Sequence, residues 1–230
     1  MPPFVDLPCE PRRVFCIGRN YAAHIAEMGV LDDGECVVFL KPSTSLVPWG
    51  GAVRLPRGVG AVHHELELVV ALGAGGRAVP RGRARDLVCA ATLGLDLTLR
   101  DVQDGLKARG RPWELAKAFD ASAPLGQWCD AQGGASAAGA GGAGAADARG
   151  LDLGAVELSC RVNGTLRQQG SSAQMLFPVE RVIEILSRTW ELLPGDLIFT
   201  GTPSGVGPLA PGDELVAASP QLGSWTWRFD

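Results

Sequence analysis

Glu65 and Glu67 stand one residue apart in VHHELELVVALG, residues 62–73. The run alternates as a strand does, with Val62, His64, Leu66, Leu68 and Val70 on one face and His63, Glu65, Glu67, Val69 and Ala71 on the other. Two carboxylates on the same face of an apolar strand repel each other, and burying them is costly unless a cation lies between them. Oxygen ligands suit hard divalent ions, magnesium, manganese or calcium. Taken alone, the pair is explained more simply by an edge strand with a solvated acidic face. Asp96 sits between Leu95 and Leu97 in the apolar run LVCAATLGLDLTLRDVQ, residues 87–103, and a lone aspartate there needs a partner. On a strand beside Glu65 and Glu67 it completes three carboxylates, enough for one octahedral cation with positions left for substrate.

A second pair lies upstream. In RNYAAHIAEMG, residues 19–29, Asn20 is placed to cap a short helix and Gly29 to end it, and His24 and Glu27 then share a face. A carboxylate that orients a histidine ring and stabilises its charged form makes a general base. On spacing alone, an exposed pair worth roughly a few tenths of a kcal/mol is the better account. Lys41 ends the apolar strand in CVVFLKPSTSLV (36–47), where a solvated terminus and an anion contact are equally good readings. Lys117 lies in the Trp- and Phe-bearing stretch RPWELAKAFDASAPLG, residues 111–126.

The elements that must position these groups are mostly strands. VFCIG (14–18) is a short buried strand, AVRLP (52–56) a short run before the acidic strand, and 73–86 an exposed hairpin or loop with basic residues. Arg100, Asp101, Gln103 and Asp104 follow the Asp96 run as a polar segment. Asn163-Gly164 between two alternating runs marks a hairpin over 156–170. Residues 178–192 form an amphipathic helix with Val179, Val182, Ile183, Ile185 and Leu186 as its apolar face. Residues 193–217 give a strand, a Gly/Pro-rich loop, a turn and another strand, and WTWRF (225–229) closes the chain. The loop GTPSGVG (201–207) could cradle an anion on backbone N–H groups, but it lacks the lysine and spacing of a nucleotide-binding P-loop.

With 230 residues and 46% apolar content the chain supports one core, so one domain over 1–230 is expected, with residues 1–13 a polar arm. The Gly- and Ala-rich stretch 131–150 has little to bury and reads as a flexible surface loop. A net charge of −4 without a basic run argues against nucleic acid, and no apolar run reaches the length of about 18 residues that spans a membrane. The N-terminus lacks the charged and apolar regions of a secretory signal, and six scattered cysteines without a C-x-x-C pair read as reduced thiols. A cytoplasmic protein is the expectation.

In order, Arg19-Asn20-Tyr21 leading to His24 and Glu27, then His64-Glu65-Leu66-Glu67, Leu95-Asp96-Leu97-Thr98-x-Arg100-Asp101, Ala116-Lys117-x-Phe119 and Gly201-Thr202-Pro203-x-Gly205-Val206-Gly207 resemble the fumarylacetoacetate hydrolase superfamily, over residues 14–217. The likeness is nearest to its short acylpyruvate hydrolases and oxaloacetate decarboxylases, and the Gly/Ala stretch is the one departure. The resemblance implies a mixed α+β, mainly β fold, a rolled, barrel-like sheet with short peripheral helices, and a homodimer. It implies Mg²⁺ or Mn²⁺ on Glu65, Glu67 and Asp96, a His24–Glu27 dyad on a lid, and Lys117 in the pocket. Arg19, Lys41, Gln103 and Thr202 are expected near a small 2-oxo acid substrate. The implied activity is C–C bond hydrolysis of an acylpyruvate, with oxaloacetate decarboxylation at the same site. An isomerase, dehydratase or lyase of the superfamily and a non-catalytic binder of metal or 2-oxo acid are the alternatives.

Overall fold

Between Leu66 and Leu72 the alternation of the sequence becomes burial on two sides. Leu66, Leu68, Val70 and Leu72 enter the larger apolar core, Val69 and Ala71 a smaller second one, and every residue of the strand is buried. A strand covered on both faces belongs in the middle of a sheet. In the computed structural model, which describes residues 7, 9–29, 34–132 and 150–230, this strand lies between Leu197–Phe199 and Val88–Leu95 and is antiparallel to both. The edge-strand reading of the two glutamates is thereby corrected. Val14–Gly18 pairs parallel with Leu197–Phe199 and antiparallel with Val37–Lys41, and Cys129–Asp130 extends the far side to make six strands.

The run read as one strand from 62 to 73 is two. Val62–His64 joins a separate three-stranded sheet with Gly207–Leu209 and Thr98–Leu99, and the chain breaks at Glu65. The neighbouring strand ends opposite the break: Leu95 pairs with Leu66, and the Asp96 N–H donates to the Glu65 carbonyl at 2.8 Å. Two strand ends meeting there bring Glu65 and Asp96 together.

Four antiparallel strands, Thr165–Ser171, Glu157–Val162, Glu214–Ser219 and Gly223–Arg228, form a further sheet. Its Leu158, Cys160, Val162, Leu215, Ala217, Trp225 and Trp227 enter the larger core. Asn163 and Gly164 take φ of 49° and 78°, the paired left-handed residues that a two-residue hairpin turn needs. The result is a mixed α+β fold dominated by sheet, with short helices.

The longest helix among the described residues, Val179–Thr189, buries Val179, Val182, Ile183 and Leu186 as its spacing predicts, whereas Ile185, expected on the same face, is half-buried. Elsewhere the sequence reading is adjusted. Residues 81–84 in the expected basic loop form a helical turn packed on the Val179–Thr189 helix. The polar segment after Leu99 is a helix, Arg100–Lys107, anchored by buried Leu106 and part-buried Val102. AVRLP contributes a single bridge, Val53 to Phe229. Of the N-terminal arm, the described end is tied down: Arg12 N–H donates to Gly195 O at 2.8 Å, and Arg13 makes a forked pair with buried Asp196 at 2.9 and 2.6 Å. Residues 1–6 and 8 of the arm and 133–149 of the Gly/Ala stretch lie outside the described residues. All six cysteines are free thiols.

Candidate active site

Glu65, Glu67 and Asp96 are 5, 2 and 1% exposed, and each offers an oxygen within 4.8 Å of the others'. Their counter-charges are equally buried. Lys117 Nζ donates to Glu65 Oε2 at 2.8 Å, Asp96 Oδ2 at 2.6 Å and Thr98 Oγ1 at 2.7 Å. Arg100 pairs with Glu65 Oε1 and donates to Gln103 Oε1 at 2.6 Å. Gly201 N–H donates to Glu67 Oε2 at 2.8 Å. Burial pushes the Glu67 carboxyl up, and the adjacent charges of Asp96 and Glu65 push it further, well above the ordinary carboxylate range. Burial acts the same way on Glu65, but Lys117 and Arg100 outweigh it and hold that carboxyl below its usual value. For Lys117, burial opposes the charge, yet Asp96 and Glu65 prevail and keep its ammonium above the usual lysine value.

The donor set fits a hard divalent cation. Three almost wholly buried carboxylates converge, and their oxygens are the ligand type that such ions prefer. Asp96 Oδ1 receives no hydrogen bond. Its counter-charge is the Lys41 ammonium, 2.9 Å away, which also lies within reach of the Leu97 and Ser122 carbonyls at 3.3 and 3.2 Å, Ser122 Oγ at 2.9 Å and the Lys117 carbonyl.

His24 and Glu27 ride on the Ala22–Glu27 helix, with His24 Nδ1 3.2 Å from Glu27 Oε2. Gly205 N–H donates to both oxygens of Glu27, at 3.0 and 3.2 Å. The Gly201–Gly207 loop thus does bind anions through backbone N–H groups, but they are the protein's own: Glu67 at one end and Glu27 further along. Gly201 and Gly205 have φ of +94° and +97°, and a Cβ at Gly205 would lie 2.0 Å from the Arg167 carbonyl, so a side chain has no room there. Asn20 does not cap the helix. Its side chain is fully buried and stitches the helix start to two distant segments, donating to Phe177 O and Thr200 O and accepting from Phe177 N–H. The neighbouring Arg19 takes a left-handed φ of 57°, uncommon for a residue other than glycine, and lines the cleft.

One cleft of about 500 Å³, open space at its mouth included, collects most of the expected residues. Arg19, His24, Glu65, Glu67, Asp96, Gln103, Lys117 and Thr202 all line it. Glu27 stands behind His24 and reaches the cleft only through it. Lys41, expected beside substrate, is displaced: it is buried behind Asp96 and held by backbone carbonyls, a consequence of the strand carrying it inward. Thr202 Oγ1 donates to Leu66 O at 2.8 Å and accepts from Gln168 Nε2 at 2.7 Å. Sequence reasoning passed over Gln168, which lies on the hairpin and also receives the Leu66 N–H. It assigned no role to Arg100 or Lys107 either, although Arg100, Gln103 and Lys107 have the spacing of a single helix face, and Val102 and Leu106 that of the opposite one.

The family described as fumarylacetoacetate (FAA) hydrolase C-terminal matches residues 13–229. The chain is 39% identical over 219 residues to the human mitochondrial oxaloacetate tautomerase FAHD1, covering 95% of this chain and 92% of that one. It is 43% identical over 203 residues to the oxaloacetate tautomerase YcgM of Escherichia coli, covering 88% and 86%. Among solved structures, it is similar to fumarylpyruvate hydrolase from Pseudomonas aeruginosa in complex with Mn²⁺ and pyruvate, at a TM-score of 0.83 and 39% identity over 95% of this chain and 89% of that one. A 5-carboxymethyl-2-hydroxymuconate delta-isomerase from Mycobacterium smegmatis superposes at 0.78 with 34% identity, over 96% and 80%. Among the described residues, no helix is long and apolar enough to cross a membrane.

Proposed function

Because the chain belongs to the fumarylacetoacetate hydrolase family, we propose that it is a divalent-metal-dependent enzyme of small 2-oxo acids whose main reaction is keto–enol tautomerisation of oxaloacetate. The observation that carries this reading is the buried triangle of Glu65, Glu67 and Asp96 in the same cleft as His24. Those three residues would hold Mg²⁺ or Mn²⁺; when bound, the ion supplies Lewis-acid polarisation of a 2-oxo acid's keto and carboxylate oxygens. A cation there competes with Lys117 for Glu65 and Asp96, whose charges Lys117 balances in its absence.

His24 is the residue that moves the proton. With Nδ1–H directed at Glu27, Nε2 is the basic nitrogen, and it takes a proton from, or returns one to, the carbon beside the keto group. Glu27 is a positioning residue, itself fixed by the Gly205 N–H. Gln103 gives its Oε1 to Arg100, which leaves its amide N–H for a substrate oxygen. Identities of 39 to 43% to oxaloacetate tautomerases support this choice of reaction.

Acylpyruvate hydrolysis is the second reading, favoured by the likeness to the Pseudomonas fumarylpyruvate hydrolase. There His24 takes a proton from water as the oxygen adds to the distal acyl carbonyl. The C–C bond then breaks, and the proton goes to the departing pyruvate carbon, giving pyruvate and a carboxylic acid. The test follows the enol-to-keto conversion of oxaloacetate, its decarboxylation, and pyruvate release from acetylpyruvate and fumarylpyruvate, with Mg²⁺, with Mn²⁺ and with chelator. Chelator-sensitive tautomerisation as the fastest reaction supports the first reading, and faster pyruvate release the second. No chelator-sensitive turnover of any substrate overturns both. The chain is further proposed to act as one catalytic domain and to form a homodimer, which sedimentation at equilibrium checks.

A further inference from the structure

The Arg100–Lys107 helix presents a graded series to the cleft. Residues 100, 103 and 107 share one face, and all three side chains line the cavity. Arg100 is committed to Glu65 and Gln103, and Gln103 Oε1 to Arg100. Lys107 is different. Its ammonium lies 5.4 Å from the centre of the Trp113 ring, another cleft residue, and no carboxylate of the described residues pairs with it. A helix rises about 1.5 Å per residue, so Lys107 is rooted about 10 Å further along the axis than Arg100, and helical side chains lean back toward the N-terminus, here toward the carboxylate triangle.

The geometry points to Lys107 as the specificity-determining residue that binds the far carboxylate of a 2-oxo dicarboxylic acid whose 2-oxo acid end lies at Glu65, Glu67 and Asp96. This rests on the proposed reaction with 2-oxo acids and names the substrate class within it. Trp113 holds the ammonium against its ring without neutralising the charge, so the ammonium is oriented before substrate arrives. Burial and the charge of Arg100 leave Lys107 short of stabilisation, pushing it down to about 8, and an incoming carboxylate supplies the missing partner. The other cationic groups described above at the triangle, Arg100, Lys117 and Lys41, already lie against the protein's own carboxylates.

The experiment compares wild type with Lys107→Met, which keeps the apolar stem, and Lys107→Arg, which keeps the charge. Turnover is measured on fumarylpyruvate, which has a far carboxylate, and acetylpyruvate, which lacks one. Binding of the unreactive pair malate and lactate is measured by calorimetry with Mg²⁺ present. The expected result is a drop of about tenfold or more in the fumarylpyruvate-to-acetylpyruvate ratio of kcat/KM in Lys107→Met, mostly through KM, with recovery in Lys107→Arg. The malate-over-lactate preference should collapse in parallel. A ratio and a preference both unchanged within about twofold overturn the assignment of Lys107. If wild type turns over neither these two substrates nor oxaloacetate but its malate preference depends on Lys107, the proposed reaction fails while the carboxylate subsite stands. A misfolded Lys107→Met shows in its circular dichroism, and Lys107→Gln then takes its place in the same comparison.

Discussion

Glu65, Glu67 and Asp96 sit at or just beyond the meeting ends of adjacent central strands, almost wholly buried, each with cations or backbone N–H groups already in place. His24 and Glu27 stand instead on a six-residue helix with no side-chain cap, and the Glu27 side chain is 35% exposed. The first region is assembled by long-range sheet pairing and is set before any ligand arrives. The second is held by the His24–Glu27 pair, the Gly205 N–H and the Asn20 bonds at the start of the helix. A cation site needs rigid, converging donors, whereas a proton-moving group needs reach and access, and the cleft joins the two.

The comparison breaks most sharply at Glu67. Glu67→Leu should remove a ligand and lower turnover by about 10³-fold or more, with divalent-ion binding by calorimetry falling alongside. Unchanged ion binding would place the cation elsewhere. His24→Ala attacks the other region: kcat should fall by about 10²- to 10⁴-fold while ion affinity holds, and a loss of both would mean that the two regions are not separable. Lys117→Met tests the pre-set charge balance. Removing the ammonium leaves buried Glu65 and Asp96 short of a partner, and urea unfolding in chelator should show a loss of about 3–5 kcal/mol. Saturating Mg²⁺ should recover much of it, because the ion takes over those oxygens.

The smallest effect is in pH. Lys107 titrates near 8 in the folded protein against 10.5 for an ordinary lysine, so between these values the unfolded chain binds more protons. Stability therefore rises with pH through that window, and this contribution is lost as pH falls through about 8. Chemical denaturation from pH 7 to 10.5 should show a shallower slope in Lys107→Met than in wild type; equal slopes would remove Lys107 as the source.

Much of this was legible in residue order. The hairpin at Asn163-Gly164 and the helix at 179–189 follow from turn chemistry and a 3.6-residue period, both local properties. The helix at Arg100–Lys107 was not visible, since it has only Val102 and Leu106 to mark its apolar side and its polar face turns inward, toward the cleft. Asn20 looked like a cap because caps are local, whereas its partners, Phe177 and Thr200, are far along the chain. Lys41 read equally well as a solvated strand end or an anion contact, and the resemblance placed it near substrate; here it is buried.

By itself, the sequence determined which residue types were present to do chemistry: two glutamates on one strand face, an aspartate stranded among leucines, and a histidine three residues before a glutamate. Only the tertiary structure decided that the strand breaks at Glu65 opposite the end of its neighbour, bringing Asp96 within reach. It alone decided which cations turn inward and that Lys107 faces the cleft with no carboxylate of the described residues paired to it. Side-chain alternation and spacing are set over a few residues, but convergence of charge depends on sheet register between segments far apart in the chain, and register is a property of the whole fold.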